Sequence, residues 1–477
     1  MNLLKYQKFY LIGIKGVGMT MLAQFLKLQG KEVSGSDVVD VFMTDRVLRK
    51  NKIKVFAGFN SSRISQDAVI VYSSAYNQEN NEEVAKAILS ERARKLPVIS
   101  YAQAMGALFN SYQGIAVCGS HGKTTTSAFL GFVWQKLGLS PNILVGARVP
   151  QLKGSAVLGN SNYFIAEADE YQNKLQYFQP HGVVLNNIEF DHPDYFKTEN
   201  DYYQVFVDFV KKIPKTGFLV VNAQDGKIKK LLKFSRAKIL SYAVFGDEKL
   251  KKDSRGVTLL AHSICRQGIF QTFKVNDFGV FKIRLFGHHN IENALAVIAS
   301  TLALGIHPQA VKKVLSQFKG TARRSELMGR YRGALIYDDY GHHPTEVLKT
   351  INAFKEFYQE QRLIVLFHPH TYTRTKALFK NFVVSFDEAD KIGVLPIYGS
   401  ARESQGGVSS QDLVVAISKR NNQNIKGSKQ KEGAVYLQDF DQAVKWLKRE
   451  IQKDDVVLLL GAGDVFRVGE KLLKRVK

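Results

Sequence analysis

Cysteine is nearly absent: Cys118 and Cys265 are the only two in 477 residues, which excludes a disulfide framework. Cys118 closes an apolar run and reads as a buried strand thiol. Ten prolines and no Pro/Ser-rich stretch leave no obvious flexible linker, so domains should abut closely. No apolar run reaches the ~18–20 residues of a membrane span. The first residues, MNLLKYQKFYLIGIKGVGM, carry a short apolar run broken by glycines and no small-residue cleavage site. They read as a first strand and not as a signal peptide. A soluble, cytoplasmic protein with no membrane insertion is expected. No short internal repeat is visible.

Acidic residues are the scarcer charge, 43 against 67 basic ones, for a net charge of +24. A nucleic-acid footprint is one explanation. The lysines are scattered along helical stretches (KKIPK, KIKKLLK, KLLKRVK), with no aromatic-interleaved basic block. A lysine-rich surface that attracts anionic nucleotides explains them as well, and no nucleic-acid partner is expected.

The chain is too long for one ordinary domain, and a hydrophobic fraction of 45% supports well-buried cores. Strand-like and helix-like segments alternate throughout, which predicts α/β architecture. FYLIGI, KEVSGSD, AVIVYSS and PVIS form one series. GIAVCGS, YFIAEAD, GVVLNNIE and GFLVVN form a second, and ALIYDDY, RLIVLFHP, KIGVLPIY and DVVLLLGAG a third. Each reads as a doubly wound unit, with boundaries near 108–113 and near 320. That divides the chain into 1–110, 111–320 and 321–477. Alternating runs between about 235 and 285 (AVFG, GVTLLA, GIFQTFKV, GVFKIRLFG) suggest a small antiparallel sheet attached to the central unit.

Four groups of residues carry chemistry. Gly13, Gly16, Val17 and Gly18 follow the first strand and open a helix, where backbone N–H groups can approach a diphosphate. Ser34, Ser36 and Asp37 end the next strand, where a dinucleotide fold holds a ribose. The middle position of the glycine fingerprint is Lys15, so the signal is weak, and a bare glycine turn explains it too. The second group is stronger. Gly119, Ser120, His121, Gly122, Lys123, Thr124, Thr125 and Thr126 lie between an apolar strand and a helical stretch, the layout of a phosphate-binding P-loop. Lys123 would reach the β- and γ-phosphates and the Thr124 hydroxyl would bind Mg²⁺. Val117 stands where the strict motif has its first glycine.

The third group closes neighbouring strands: Glu167, Asp169 and Glu170 on one, Asn186, Asn187, Glu189, Asp191 and His192 on another. Oxygen ligands at that edge suit Mg²⁺, although each carboxylate alone could be a solvated loop charge. The fourth is spread further along. Asn290 and Asn293 share a helical face and could read a base edge or cap the helix. Arg323 and Arg324 could clamp a phosphate. Asp339, Tyr340, His342, His343, His368, His370 and Arg374 close two later strands and look like a site for a zwitterion, or a pair of ordinary turns.

The motifs GSHGKTTT, EADE, NNIEFDHPDYF, HHNIENALA, RRSE, DDYGHHPTE and HPHTYTRT, in that order, resemble the Mur ligase family over nearly the whole chain. The last two, with GIKGVGM and VSGSD near the start, most resemble its alanine-adding branch, and ARESQGGVSS and LLLGAGDV also look like that branch's C-terminal domain. The resemblance implies three domains: a Rossmann-like one for a UDP-sugar, a central one for ATP, and a Rossmann-like C-terminal one for the amino acid. It implies an ATP-dependent ligase that adds L-alanine to UDP-N-acetylmuramate through an acyl phosphate, in peptidoglycan precursor synthesis. Gly13, Gly16, Val17, Gly18, Ser36, Asp37, Ser73 and Ser74 would meet the UDP-sugar. Gly119 to Thr125, Asn290, Asn293, Arg324 and Asp339 would meet ATP. Thr124, Glu167 and His192 would hold Mg²⁺, and Tyr340, His342 and Arg374 would lie near the amino acid. Lys123, Glu167, His192, His342 and Arg374 are the expected catalytic set, with His342 a candidate base because an unperturbed histidine titrates near ~6.5. No carbamylated lysine is expected.

Departures from the family pattern are Lys15 for a common glycine, Ser120 for the usual threonine, and Tyr171-Gln172-Asn173-Lys174 after EADE. The last leaves open a muropeptide-recycling ligase that adds a whole peptide. A nucleic-acid-stimulated ATPase, motivated by the charge, and a nicotinamide dehydrogenase, motivated by the first loop, are readings of other classes.

Overall fold

A computed structural model describes residues 1–91, 95–245, 256–399, 406–423 and 433–474. The start of the ARESQGGVSS motif, 401–405, lies outside the described residues. The chain forms two compact units. One comprises Met1–Glu189, Tyr203–Leu260 and Asn293–Phe318; the other comprises Phe190–Tyr202, Ala261–Glu292 and Lys319–Lys477.

The first unit opens with five parallel strands: β1 (Lys8–Ile12), β2 (Glu32–Asp37), β3 (Lys54–Ala57), β4 (Val69–Tyr72) and β5 (Val98–Ser100), in the order β3-β2-β1-β4-β5. The order reverses beside β1, so the loops after β1 and β4 line a crevice at the carboxyl edge of the sheet. β3 escaped the sequence reading because its four residues, KVFA, are only partly covered and show no apolar run.

A second sheet follows with β6 (Gln113–Cys118), β7 (Asn142–Val149), β8 (Gly154–Val157), β9 (Tyr163–Glu167), β10 (Gly182–Leu185), β11 (Phe218–Asn222) and β12 (Lys238–Val244). Its order is β12-β11-β10-β6-β9-β7-β8, parallel except where β8 returns on β7. β6, β10 and β11 are apolar runs buried almost throughout, as central parallel strands covered on both faces must be. The helix Lys123–Lys136 is buried from Thr124 to Trp134, and Trp134 satisfies its indole N–H on Thr301 Oγ1 at 3.0 Å. The helix Val17–Leu28 packs on β7 and β8, with Phe25 edge-on to Phe164 at 5.3 Å. Because AVFG falls at the end of parallel β12, the antiparallel expectation fails for that run.

The second unit contains an antiparallel ribbon of β13 (Leu259–Gln267), β14 (Phe270–Val275) and β15 (Val280–Ile283), where the other three runs lie. It also holds a six-stranded sheet of β16 (Glu326–Tyr331), β17 (Ala334–Asp339), β18 (Leu363–Phe367), β19 (Lys391–Val394), β20 (Val435–Tyr436) and β21 (Val456–Leu460). The order is β16-β17-β21-β18-β19-β20. Only β16 runs antiparallel, so this sheet is mixed. β18 (LIVLF) and β21 (VVLLL) are wholly buried and divide the core into layers on either face.

No helix among the described residues is long and apolar enough to cross a membrane.

Candidate active site

β9, β6 and β10 are neighbours, so the segments leaving their carboxyl ends meet. From β6 comes the P-loop. Gly122 takes φ +81° immediately before the helix Lys123–Lys136, a left-handed conformation that glycine adopts without a Cβ penalty. The first N–H groups of that helix have no intrahelical acceptor, and its dipole favours an anion there. The loop is held from β10. Asn187 Oδ1 accepts His121 N–H at 2.8 Å and Asn187 O accepts Ser120 N–H at 3.1 Å. The Ser120 hydroxyl donates to Glu189 O at 2.6 Å, a tie to the next loop. His121 lies 3.0 Å from Glu189 through Nε2. These ties fix the loop from the neighbouring strand, and the N–H groups at the start of the following helix remain the donors a phosphate would take.

Lys123 Nζ donates to Gly119 O at 2.6 Å, Ser120 O at 3.2 Å and Glu170 Oε2 at 3.0 Å. Burial alone would lower its pKa, but Glu170 and then Asp169 hold it well above the ordinary lysine value. The ammonium therefore stays charged. Thr124 Oγ1 donates to Glu167 Oε1 at 2.7 Å, while Glu167 Oε2 accepts Gly146 N–H at 2.7 Å. A Cβ at position 146 would sit 2.8 Å from that oxygen, so glycine there admits the carboxylate. Sequence reasoning missed Gly146, although an isolated glycine within a strand is itself a sign of close approach. A hydroxyl and a carboxylate side by side, with Asp169 and Glu170 next in sequence, form an all-oxygen donor set that fits a hard cation such as Mg²⁺.

Asn293 also belongs to this unit. It is buried, and its Oδ1 accepts the Thr126 hydroxyl at 2.9 Å. Asn290, in the second unit, donates from Nδ2 to Phe286 O at 2.8 Å.

In the second unit, Asp191 and His192 sit with the strand ends of the six-stranded sheet. Arg374, 5% exposed, donates from Nε at 3.1 Å and Nη2 at 3.0 Å to Asp191 Oδ1. The same oxygen accepts His192 N–H at 2.7 Å and holds His192 in a left-handed conformation with φ +58°. Burial would raise the Asp191 pKa, but Arg374, then His192, drive it far below the carboxylate range. The fork of Arg374 was expected at the amino acid. It is engaged by Asp191, which the sequence had offered only as one of the acidic strand-end residues suited to Mg²⁺.

His342 Nδ1 is 3.0 Å from Tyr340 O. A carbonyl only accepts, so Nδ1 carries the proton and Nε2 offers a lone pair. Burial, then Arg374, pushes the His342 pKa down to about 4. This corrects the expectation of titration near ~6.5: neutral His342 can accept a hydrogen bond but is too weak a base to hold an amine proton. Tyr340 has Arg323 and Arg324 over its ring at 5.0 and 5.3 Å. Arg323 is no phosphate clamp. Its guanidinium braces Asp338 at 2.9 Å and the carbonyls of Gly461, Ala462 and Gly463. Arg324 lies 4.0 Å from Glu346. Asp339 is likewise structural, accepting Ser325 N–H and Gly341 N–H at 2.7 Å each.

At the N-terminal sheet, Gly13 N–H donates to Ser36 O at 2.8 Å, and Gly16 caps the helix that begins with exposed Val17. Gly18 lies under Tyr101, whose hydroxyl would be 2.6 Å from a Cβ. Ser73 and exposed Ser74 follow β4 beside Gly13. Ser36 and Asp37 face inward, contrary to the ribose reading. The Ser36 hydroxyl goes to fully buried Glu83, and Asp37 accepts Lys15 N–H at 2.6 Å and Val38 N–H at 2.8 Å.

Buried histidines make stability depend on pH. His289, His342 and His368 are each pushed down to about 4, burial being the first cause. Unfolded histidine titrates near ~6.5, so below that pH the unfolded chain binds protons the folded chain refuses, and stability falls as pH drops toward 4. Asp338, pushed up to about 6 by burial, and Asp339, raised chiefly by burial as well, work in the opposite sense, two groups against three. The melting temperature is therefore expected to decline steadily from pH 7 to pH 4. A flat profile would contradict these assignments.

A strand–P-loop–helix flanked by acidic strand ends, followed by a second mixed sheet rich in histidine and arginine at its carboxyl edge, defines an ATP-dependent ligase architecture. Three family models match consecutive stretches: Mur ligase family, catalytic domain over 8–113; Mur ligase middle domain over 117–301; and Mur ligase, glutamate ligase domain over 323–463. The chain belongs to the Mur ligase family. It is 35% identical to the UDP-N-acetylmuramate–L-alanine ligase of Caldanaerobacter subterraneus over 100% of this chain and 99% of that one. To the enzyme of the same name from Clostridium kluyveri it is 36% identical, over 99% of each. Its fold matches the crystal structure of the UDP-N-acetylmuramate–alanine ligase of Thermotoga maritima with a TM-score of 0.80 at 22% identity, over 98% of this chain and 99% of that one. A murein peptide ligase from Psychrobacter arcticus matches with a TM-score of 0.69 at 23% identity, over 98% of both.

Proposed function

We propose that this protein joins L-alanine to the lactyl carboxylate of UDP-N-acetylmuramate at the expense of ATP, in the cytoplasm. The observation that carries the reading is end-to-end identity of about 35% with enzymes of that name, on a chain whose P-loop holds a charged lysine beside a hydroxyl–carboxylate pair.

The lactyl carboxylate attacks the γ-phosphorus, the bond to the β-phosphate oxygen breaks, and an acyl phosphate and ADP result. The alanine amine then attacks the acyl carbon, phosphate leaves, and the amide forms. Lys123 gives up its Glu170 partner and follows the charge that accumulates on the transferring phosphoryl group. Thr124 and Glu167 are the residues of the first unit that would hold Mg²⁺, which when bound would offset the phosphate charge so that an anionic nucleophile can approach. The P-loop amides grip the phosphates, and Asn290 and Asn293 lie on the helix assigned to adenine. Arg324 is a cation suited to the nucleotide's phosphates, while Asp339 acts through the loop it braces. Tyr340 and Arg374 shape the amino-acid site. Neutral His342 accepts an N–H from the incoming amine at Nε2 and aims its lone pair, while the proton leaves to phosphate or water. Gly13, Gly16, Val17, Gly18, Ser73 and Ser74 surround the uridine nucleotide, with Ser36 and Asp37 bracing that loop from within. The domain limits 1–110, 111–320 and 321–477 follow the three ligands.

The test is phosphate release with UDP-N-acetylmuramate, ATP and Mg²⁺, adding in turn L-alanine, L-serine, glycine, and the tripeptide used by recycling ligases, with products identified by mass. L-alanine should give the fastest release and a product heavier by one alanyl residue. Turnover with the tripeptide alone would replace this reading by the recycling one. Release stimulated by DNA and indifferent to the UDP-sugar would remove both.

A further inference from the structure

We propose that Lys15 is a positioning residue: it pins the segment 38–45 against the first glycine loop and thereby sets one wall of the uridine-nucleotide site. The proposal rests on the reading of that loop given above.

Lysine is seldom so deeply buried without partners, and Lys15 is only 7% exposed. Its ammonium donates to Val38 O at 2.8 Å and Asp40 O at 2.7 Å, and lies 3.4 Å from Asp45 Oδ1. Three N–H groups thus face three oxygens of one segment. The Lys15 backbone completes the clamp, with N–H donating to Asp37 Oδ2 at 2.6 Å and O accepting the Thr44 hydroxyl at 2.5 Å. Asp45 serves twice, since its other oxygen accepts Phe42 N–H at 2.7 Å and starts the helix Met43–Lys50. The ammonium is therefore committed to the protein and not presented to a diphosphate.

The segment it holds has little else to fix it. Val39 is 73% exposed and Val41 78%, and Phe42 and Met43 are exposed as well. An apolar stretch without a burial site samples many conformations unless polar ties restrain it. Lys15 directly precedes Gly16 and exposed Val17, so the clamp ties this exposed apolar segment to the loop that carries those backbone donors. A ligand with a flat base and a diphosphate fits that pairing. If the competent arrangement becomes a minor population, apparent affinity falls by the same fraction while chemistry on bound substrate is untouched.

Lys15→Met keeps the length of the side chain and removes its donors. It should raise the KM for UDP-N-acetylmuramate about tenfold, with kcat changed less than about twofold and the KM values for ATP and alanine unmoved. Amide hydrogen exchange over 38–45 should accelerate in the ligand-free protein. Lys15→Arg should restore part of both effects. Thr44→Val loosens the same clamp from the other side without touching the buried charge and should give a smaller rise in KM; it carries the test if Lys15→Met fails to fold. A wild-type KM in both variants, or a loss of kcat at constant KM, would overturn the proposal. So would a raised KM with unchanged exchange, which is the signature of direct contact with the diphosphate. If the wild-type rate does not saturate with the UDP-sugar, the site reading is what fails, and the exchange experiment still decides whether Lys15 holds the segment.

Discussion

Lys123→Met should lower phosphate release in the complete reaction mixture by about a thousandfold or more, the scale on which fixed cations stabilise a transferring phosphoryl group. The substitution also has a structural consequence that must be separated from the catalytic one. Glu170 is fully buried and faces the Lys123 ammonium at 3.0 Å. Without that cation the buried carboxylate loses its ion-pair partner, and breaking a buried pair costs about 3–5 kcal/mol. The single variant should therefore melt early as well as fail to turn over. Adding Glu170→Gln removes the stranded charge, so the double variant should regain most of the lost melting temperature and none of the activity. Recovery of activity with stability would mean that Lys123 serves only to hold the loop, and the P-loop assignment would fall.

The separability of these effects reflects how the sequence encodes the site. Backbone devices were legible: an apolar strand followed by glycines and Lys-Thr specifies a strand–loop–helix almost by itself, and the P-loop stands where GSHGKTTT placed it. Buried parallel strands such as LIVLF and VVLLL announced themselves by length and composition. What stayed hidden depends on contacts between residues far apart in the chain. Gly146 meets Glu167 across 21 positions, Asp191 meets Arg374 across 183, and Arg323 meets Gly461 across 138. Motif reading took Glu167, Asp191, Arg323 and Arg374 for ligand contacts, because a charged residue near such an edge has either fate. Ser36, Asp37, Arg323 and Asp339 took the structural one. The short strands β3, β8 and β16 were missed for a different reason: they lie at or near sheet edges, where half-exposed residues show neither a full apolar run nor strict alternation.

Asp191→Ala should be among the most damaging single changes in the second unit, although Asp191 stands outside the expected catalytic set. One oxygen of this carboxylate accepts two bonds from Arg374 and one from the His192 backbone. Alanine leaves the Arg374 guanidinium buried with only His370 near Nη1, and frees His192 to relax from its left-handed conformation. The expected cost is about 3–5 kcal/mol, read as a lower denaturant midpoint. Asn in place of Asp keeps an acceptor oxygen for all three donors and loses only the charge, so Asp191→Asn should lie between wild type and alanine. Arg374→Met alone strands the carboxylate and should cost a similar amount. In Asp191→Leu/Arg374→Met neither charge remains, and apolar replacement of a buried ion pair is often close to neutral. The double variant should then be more stable than either single one, a coupling that only direct partners show. Its turnover should stay as low as that of Arg374→Met, because the groups that shape the amino-acid site are gone even when the fold is whole. If the stability losses of Asp191→Leu and Arg374→Met simply add in the double variant, the two residues do not act as a pair, and the link from the strand end at Asp191 to Arg374 has no energetic content.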